Sequence, residues 1–220
     1  MNIILDRVNQ VCKQVRESSP ELTTFKKLIS LTRRTFKKHE FDLVIKTKRI
    51  KDWDPDKWYV EAYYDSENDL HGETPIEVVV HHNLVGDEEF GPHQVTSFLI
   101  EIFDAVVHEH RHQYQSMRRN FQDYVVNPMS PYDEYLANHD EMDAYAVSIA
   151  IELLRTMDKD RARRNLSRIS IMSKMRTGSN LSSPMLRAYI QHFGLNDITK
   201  RIAKKVYLHL DRLDKDLIFM

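Results

Sequence analysis

AVVHEHRHQYQ, residues 105–115, places three histidines and a glutamate in the five positions from His108 to His112. The segment lies inside QVTSFLIEIFDAVVHEHRHQYQSM (94–117), which has neither Gly nor Pro and is apolar enough to read as one long buried helix. A helix turns about 100° per residue, so His108 and His112 share a face. Their imidazoles can then converge on one cation at the roughly 2.0–2.1 Å that zinc takes from a ring nitrogen. Glu109 lies beside that face, where a carboxylate can serve as general base toward metal-bound water without ligating the metal. H-E-x-x-H on a helix is the spacing this chemistry needs. Leu99, Phe103, Val106, His110 and Met117 fall on another stripe, so His110 is expected to face the core.

A catalytic zinc takes three protein ligands and keeps one position for water, so a second element must supply a donor. YLANHDEMDAYAVSIAIELL (135–154) offers His139, Asp140, Glu141 and Asp143 at the start of a helix predicted over 139–156. Glu141, Ala144, Tyr145, Ser148 and Glu152 share one face, and the small Ala144 would let this helix approach the histidine helix closely. Glu141 has a second reading. Three residues after Asn138 it fits a capping box, and acids are favoured in a first helical turn in any case. His139 is the competing ligand. Asp143, then Asp140, Asp104 and Glu101, are candidates to accept the second ring N–H of a ligand histidine. An oxyanion also needs a donor; of Tyr145, Tyr114, Tyr132, Tyr135 and His82, Tyr145 is favoured because it follows Glu141 by one turn.

Upstream of the histidine helix the hydrophobic pattern changes. FDLVIKTKRI (41–50), KWYVEAYYD (57–65) and PIEVVVHHN (75–83) are β-branched or aromatic runs separated by KDWDPD and SENDLHGETP, and predict three strands of one small sheet. Residues 2–17 and 21–38 read as amphipathic helices divided at Ser19–Pro20. Downstream, NFQDYVVNPMSP (120–131) and TGSNLSSP (177–184) read as loops. PMLRAYIQHFG is a short helix stopped by Gly194, and NDITKRIAKKVYLHLDRL is a last helix capped by Asn196. The predicted fold is α+β. N-terminal helices, a small mixed sheet and two metal-bearing helices occupy 1–157, and a helical extension occupies 158–220.

HEHRHQ followed by DEMDAYA resembles the gluzincin metallopeptidases, in which a glutamate on a following helix completes an H-E-x-x-H site. In form it is closest to the compact ImmA/IrrE-type and SprT-like members, and DEMDAYA is also similar to a string in small tailed-phage proteins. The resemblance spans about residues 75–155 and rests on these two motifs. It implies a compact zincin-like core, Zn²⁺ as cofactor, His108, His112 and Glu141 as ligands, Glu109 as base, and a peptide or protein substrate. It further implies that IEVVVHHN (76–83) is a sheet-edge strand that pairs with extended substrate. Met142 stands where an aliphatic residue is common.

Thirty-two Lys and Arg against 33 Asp and Glu leave a net charge of −1, so no global field argues for nucleic acid or an anionic membrane. Cys12, the single cysteine, excludes an internal disulfide and suits a reducing compartment. No apolar run nears the roughly 20 residues of a bilayer span, and MNIILDRVNQ lacks a signal-peptide core. The expectation is a cytoplasmic protein, in host cytoplasm or virion if phage-encoded. Two other functions stay open. One is a structural or phage-assembly protein on a zincin-like core, where zinc serves folding; Glu109 argues against it, since a purely structural site needs no carboxylate there. The other is nucleic-acid contact through the basic segment 159–176, which carries Arg161, Arg163, Arg164, Arg168, Lys174 and Arg176.

Overall fold

The structure is a computed structural model that describes all residues except 56, 67, 70, 85–87, 123–131, 168–182, 195 and the side chains of 132–134. In chain order its elements are α1 (Asn2–Ser18), β1 (Thr23–Thr24), α2 (Phe25–Lys38), β2 (Leu43–Arg49), β3 (Trp58–Tyr63), β4 (Ile76–His82), β5 (Glu89–Phe90) and α3 (Pro92–Arg118). There follow α4 (Tyr132–Ala137), α5 (His139–Thr156), α6 (Lys159–Ser167), α7 (Pro184–Phe193), α8 (Asp197–Arg212) and a 3-10 turn at Lys215–Leu217. The fold is mixed α+β with small sheets.

Two compact units are formed: residues 3–124 with 219–220, and residues 125–218 with 1–2. α5 groups with the helices that follow it because it packs on α8 and α7.

In the first unit the strands form a sheet of order β2-β4-β3, with β2 parallel and β3 antiparallel to β4. The mixed sheet is as expected, but IEVVVHHN is its centre and not its edge. Ile76, Val78, Val79, Val80 and His81 are all buried, the mark of a strand enclosed on both faces. Ile45, Val78 and Ala62 align across the strands, as do Thr47, Val80 and Val60, on the side covered by α2 and α3. Lys48, His81 and Tyr59 align on the opposite side. β1 and β5, absent from the sequence reading, pair through Thr23 with Phe90 and Thr24 with Glu89.

α3 begins at Pro92, whose fixed φ suits a first helical position, and Gln94 Oε1 accepts from the N–H of Gly91 at 3.0 Å. Val95, Phe98, Leu99, Ile102, Phe103 and Val106 are buried along it. Met117, placed on that stripe by spacing, is 54% exposed because the stripe leaves the core in the last turn. Asn120 and Phe121 then adopt left-handed φ of 54° and 57°. Phe121 packs onto Gly72, itself at φ +77°; a Cβ there would lie 2.9 Å from Phe121 Cζ.

In the second unit Asn138 caps α5, its side chain accepting from Asp140 N at 2.8 Å. Asp143 accepts from His209 Nε2 of α8 at 3.0 Å, with Lys205 Nζ at 3.5 Å. Gly194, at φ +67°, ends α7, and Asn196 caps α8 by accepting from Ile198 N and Thr199 N, both as the sequence predicts. Among the described residues no helix is long and apolar enough to cross a membrane.

Candidate metal centre

His112 Nδ1 lies 2.9 Å from Oε1 of Gln115. An amide oxygen only accepts, so in this arrangement Nδ1 carries the proton and Nε2 presents its lone pair. Nε2 of His112 is 3.2 Å from Nε2 of His108, and the ring centroids are 4.9 Å apart at 71°. Two nitrogens each bound to one tetrahedral zinc at its usual distance stand about 3.3 Å apart. The pair is thus held at chelating distance by one turn of α3. Without a cation, the same separation suits an N–H···N hydrogen bond between the rings. Gln115, which is buried, was missed in the sequence; its signal was the i,i+3 spacing from His112.

Glu109 is 9% exposed, and its Oε2 accepts from the backbone N–H of Tyr64 at 2.9 Å. Eight residues earlier Glu101 does the same for β3: its carboxylate accepts from Val60 N at 3.2 Å and from Trp58 Nε1 at 3.1 Å. Eight helical residues rise about 12 Å, and the four strand residues from Val60 to Tyr64 rise about 13 Å. The near match lets α3 lie along the rim of β3 and use glutamates to satisfy N–H groups that face away from β4. Burial pushes the Glu101 carboxyl above its ordinary range, against the lowering effect of those two hydrogen bonds. Glu101 is therefore a strand-rim clamp. The N–H groups of Val60 and Tyr64 are occupied and do not offer themselves to an extended substrate.

Tyr64 is fixed at both ends. Its hydroxyl donates to Asp69 Oδ2 at 2.5 Å, and Asp69 Oδ1 accepts from the N–H groups of Gly72 and Glu73 at 2.6 and 2.9 Å. Burial raises the Asp69 carboxyl, yet the hydrogen bonds from Tyr64 and from Glu73, Gly72 and Thr74 outweigh it and hold the carboxyl below its usual value. Burial together with the Asp69 contact pushes the Tyr64 phenol up to about 12, so it stays a donor at any ordinary pH. Asp69 thus ties the Tyr64 side chain to the N–H groups of Gly72 and Glu73.

The other candidates fall as follows. Glu141 and Asp143, both 9% exposed, and Tyr145 belong to the second unit. The Tyr145 ring meets Tyr189 edge-on at 5.5 Å and lines, with Leu136, Met185, Ala188, Tyr189, Gln191 and His192, a cleft of about 410 Å³. The His139 side chain is 73% exposed beside Asp140, as expected of a surface residue at a helix start. His110 packs edge-on against Phe41 at 5.8 Å, its pKa lowered by burial, and so faces apolar surroundings as its stripe implies. His82 packs on Phe25 at 4.7 Å, and Tyr114 is 48% exposed. Half of the basic segment lies outside the described residues, including Arg168, Lys174 and Arg176. Within the described half, Arg163 pairs with Asp160 and Asp211, which reduces its charge toward a partner.

No family model, curated protein or solved structure matches the chain.

Proposed function

We propose that the protein is a zinc-dependent hydrolase of peptide or other amide bonds on a zincin-like core, with His108, His112 and Glu141 as metal ligands. The observation that carries the reading is the pair of Nε2 atoms 3.2 Å apart, one of them oriented by Gln115. Glu141 enters from its place in DEMDAYA and from its burial, because a carboxylate removed from water is stable only beside positive charge or donors. A zinc held by these residues would supply Lewis-acid activation of a water, and Glu109 would act as the base that accepts the proton of that water and passes it to the leaving amine. Its Oε2 accepts from Tyr64 N–H, which holds the carboxylate in one place and supports this role. Tyr145 is the proposed donor to the oxyanion.

One observation favours a second reading. Glu109 shares with Glu101 the work of clamping the rim of β3, so a carboxylate at 109 has a use without catalysis. On that reading the chain is a structural or assembly protein in which any zinc adds folding stability.

Metal analysis of purified wild type, Glu109→Gln and His112→Ala tests the first step. About one zinc per chain is expected in wild type and Glu109→Gln, and none in His112→Ala. Hydrolysis of a fluorogenic peptide mixture, present only in wild type, supports the enzyme. Zinc retained with no hydrolysis by any form leaves the scaffold reading, and no zinc in wild type removes both metal readings.

A further inference from the structure

α2 carries Lys26, Lys27, Arg33, Arg34, Lys37 and Lys38 and no acid. At about 100° per residue these six fall within an arc of roughly 140°, and all six are exposed. The neighbouring edge strand β2 carries Lys46 and Lys48 on the sheet face away from α2, with Arg49 and Lys51 at its end, and α2 is tied to the rim of that strand by the bond from Arg33 Nε to Ile45 O at 2.8 Å. From residue 26 to 51 the only acids are Glu40 and Asp42. A chain of net charge −1 thus concentrates cations on one helix and one strand. Among the described residues none of the six on α2 is in an ion pair, and Lys46 alone on β2 is paired, with Glu77.

The sheet face beside β2 adds a second feature. Lys48, His81 and Tyr59 stand in one cross-strand row. The His81 ring is 6.3 Å from Tyr59 and 6.3 Å from Trp53, and Lys57 Nζ lies 5.2 Å over Trp53. Tyr59 is 53% and Tyr63 44% exposed. Of the acids on this face, Glu61 is held by His81 at 2.6 Å and Glu77 by Lys46; Asp52 and Asp54 lie in the exposed turn after β2.

We propose that the cations of α2 and β2, with the exposed rings of Tyr59 and Tyr63 on the open sheet face beyond β2, bind single-stranded nucleic acid, phosphates on the cations and bases on the two tyrosines. Cations alone fit any polyanion. Exposed aromatic rings beside them favour unpaired bases, which stack on such rings whatever their sequence. The inference does not depend on the metal site.

The test is fluorescence anisotropy of full-length protein with a labelled 20-nucleotide oligo(dT), from 50 to 200 mM NaCl. Binding should weaken linearly on a log–log plot with slope about −3, as expected when about four phosphates are neutralised on a single strand. Lys27→Glu/Arg34→Glu/Lys38→Glu should flatten the slope to about −1. Should that triple variant lose its helical circular dichroism, the corresponding Gln substitutions serve the same test with a smaller flattening. Tyr59→Ala should weaken binding by about 5- to 150-fold and leave the slope unchanged. No salt-dependent binding, a duplex bound as tightly as oligo(dT), indifference to Tyr59→Ala, or binding to phosphatidylglycerol vesicles in place of oligo(dT) would each overturn the proposal.

Discussion

The carboxylate of Glu109 and the backbone N–H of Tyr64 are hydrogen-bonded at 2.9 Å, so the glutamate of H-E-x-x-H is anchored to the end of a β-strand. Glu101 makes the equivalent bond to Val60 two turns earlier. One helix face thus fastens the sheet, and the neighbouring His108 and His112 are fixed in register with it. The anchoring gives substitutions at 101 and 109 separable consequences.

Glu101→Ala leaves the N–H of Val60 and the Nε1–H of Trp58 without their carboxylate, and should cost about 2 kcal/mol in urea unfolding. Glu109→Ala should cost a similar amount. Glu109→Gln keeps an oxygen that can accept from Tyr64, so it should cost less than about 1 kcal/mol while removing any hydrolysis. Equal destabilisation by Gln and Ala at 109 would show that charge, not the hydrogen bond, clamps the strand.

Gln115→Ala removes the acceptor at His112 Nδ1. Metal affinity, measured by competition with a chromogenic chelator, should fall about 10- to 100-fold with the unfolding midpoint nearly unchanged. Unaltered affinity would assign Gln115 to packing alone.

Asp69 makes stability depend on pH in a defined sense. Its carboxyl is held below its ordinary value in the folded state, whereas in the unfolded chain it titrates near about 3.9. A depressed folded value contributes stability that is fully present above the unfolded value and is lost as pH falls through the folded one. Wild type should therefore lose stability as pH drops below about 4, and Asp69→Asn should show a shallower loss in urea midpoints taken between pH 3 and 7. Parallel curves for the two proteins would refute this.

Gly72 sits at φ +77° against the Phe121 ring. Gly72→Ala introduces both a strained backbone and a clash, and should lower stability by about 1–3 kcal/mol. A thermal midpoint equal to wild type would mean that the 69–73 loop yields without cost.

Long local signals were legible in the sequence. α3 and α5 lie where uninterrupted apolar density and the Asn138 cap put them, and the three strands sit within the three runs. What was misread depended on partners distant in the chain. β1 and β5 are two residues each and acquire meaning only by pairing across some 65 positions. IEVVVHHN reads as an edge only through the resemblance, whereas its consecutive Val78, Val79 and Val80 already carry the mark of an enclosed strand. Glu101 looked like a metal-centre acid because nothing in the sequence says that a helix and a strand will run side by side at matching rise. Gln115 was within reach, and so was the cationic α2, which the near-zero total charge concealed.

Capping of β3 by α3 has a last effect, on self-association. With that rim occupied, β2 is the side of the three-stranded sheet at which a foreign strand could add, and Lys46, Lys48 and Arg49 project there. Two copies approaching rim to rim would bring like charges within a few ångströms, which discourages fibril growth. Neutralising Lys46 and Lys48 by acetylation, or all three side chains by substitution, should therefore favour aggregation through the sheet, read as light scattering against the untreated protein.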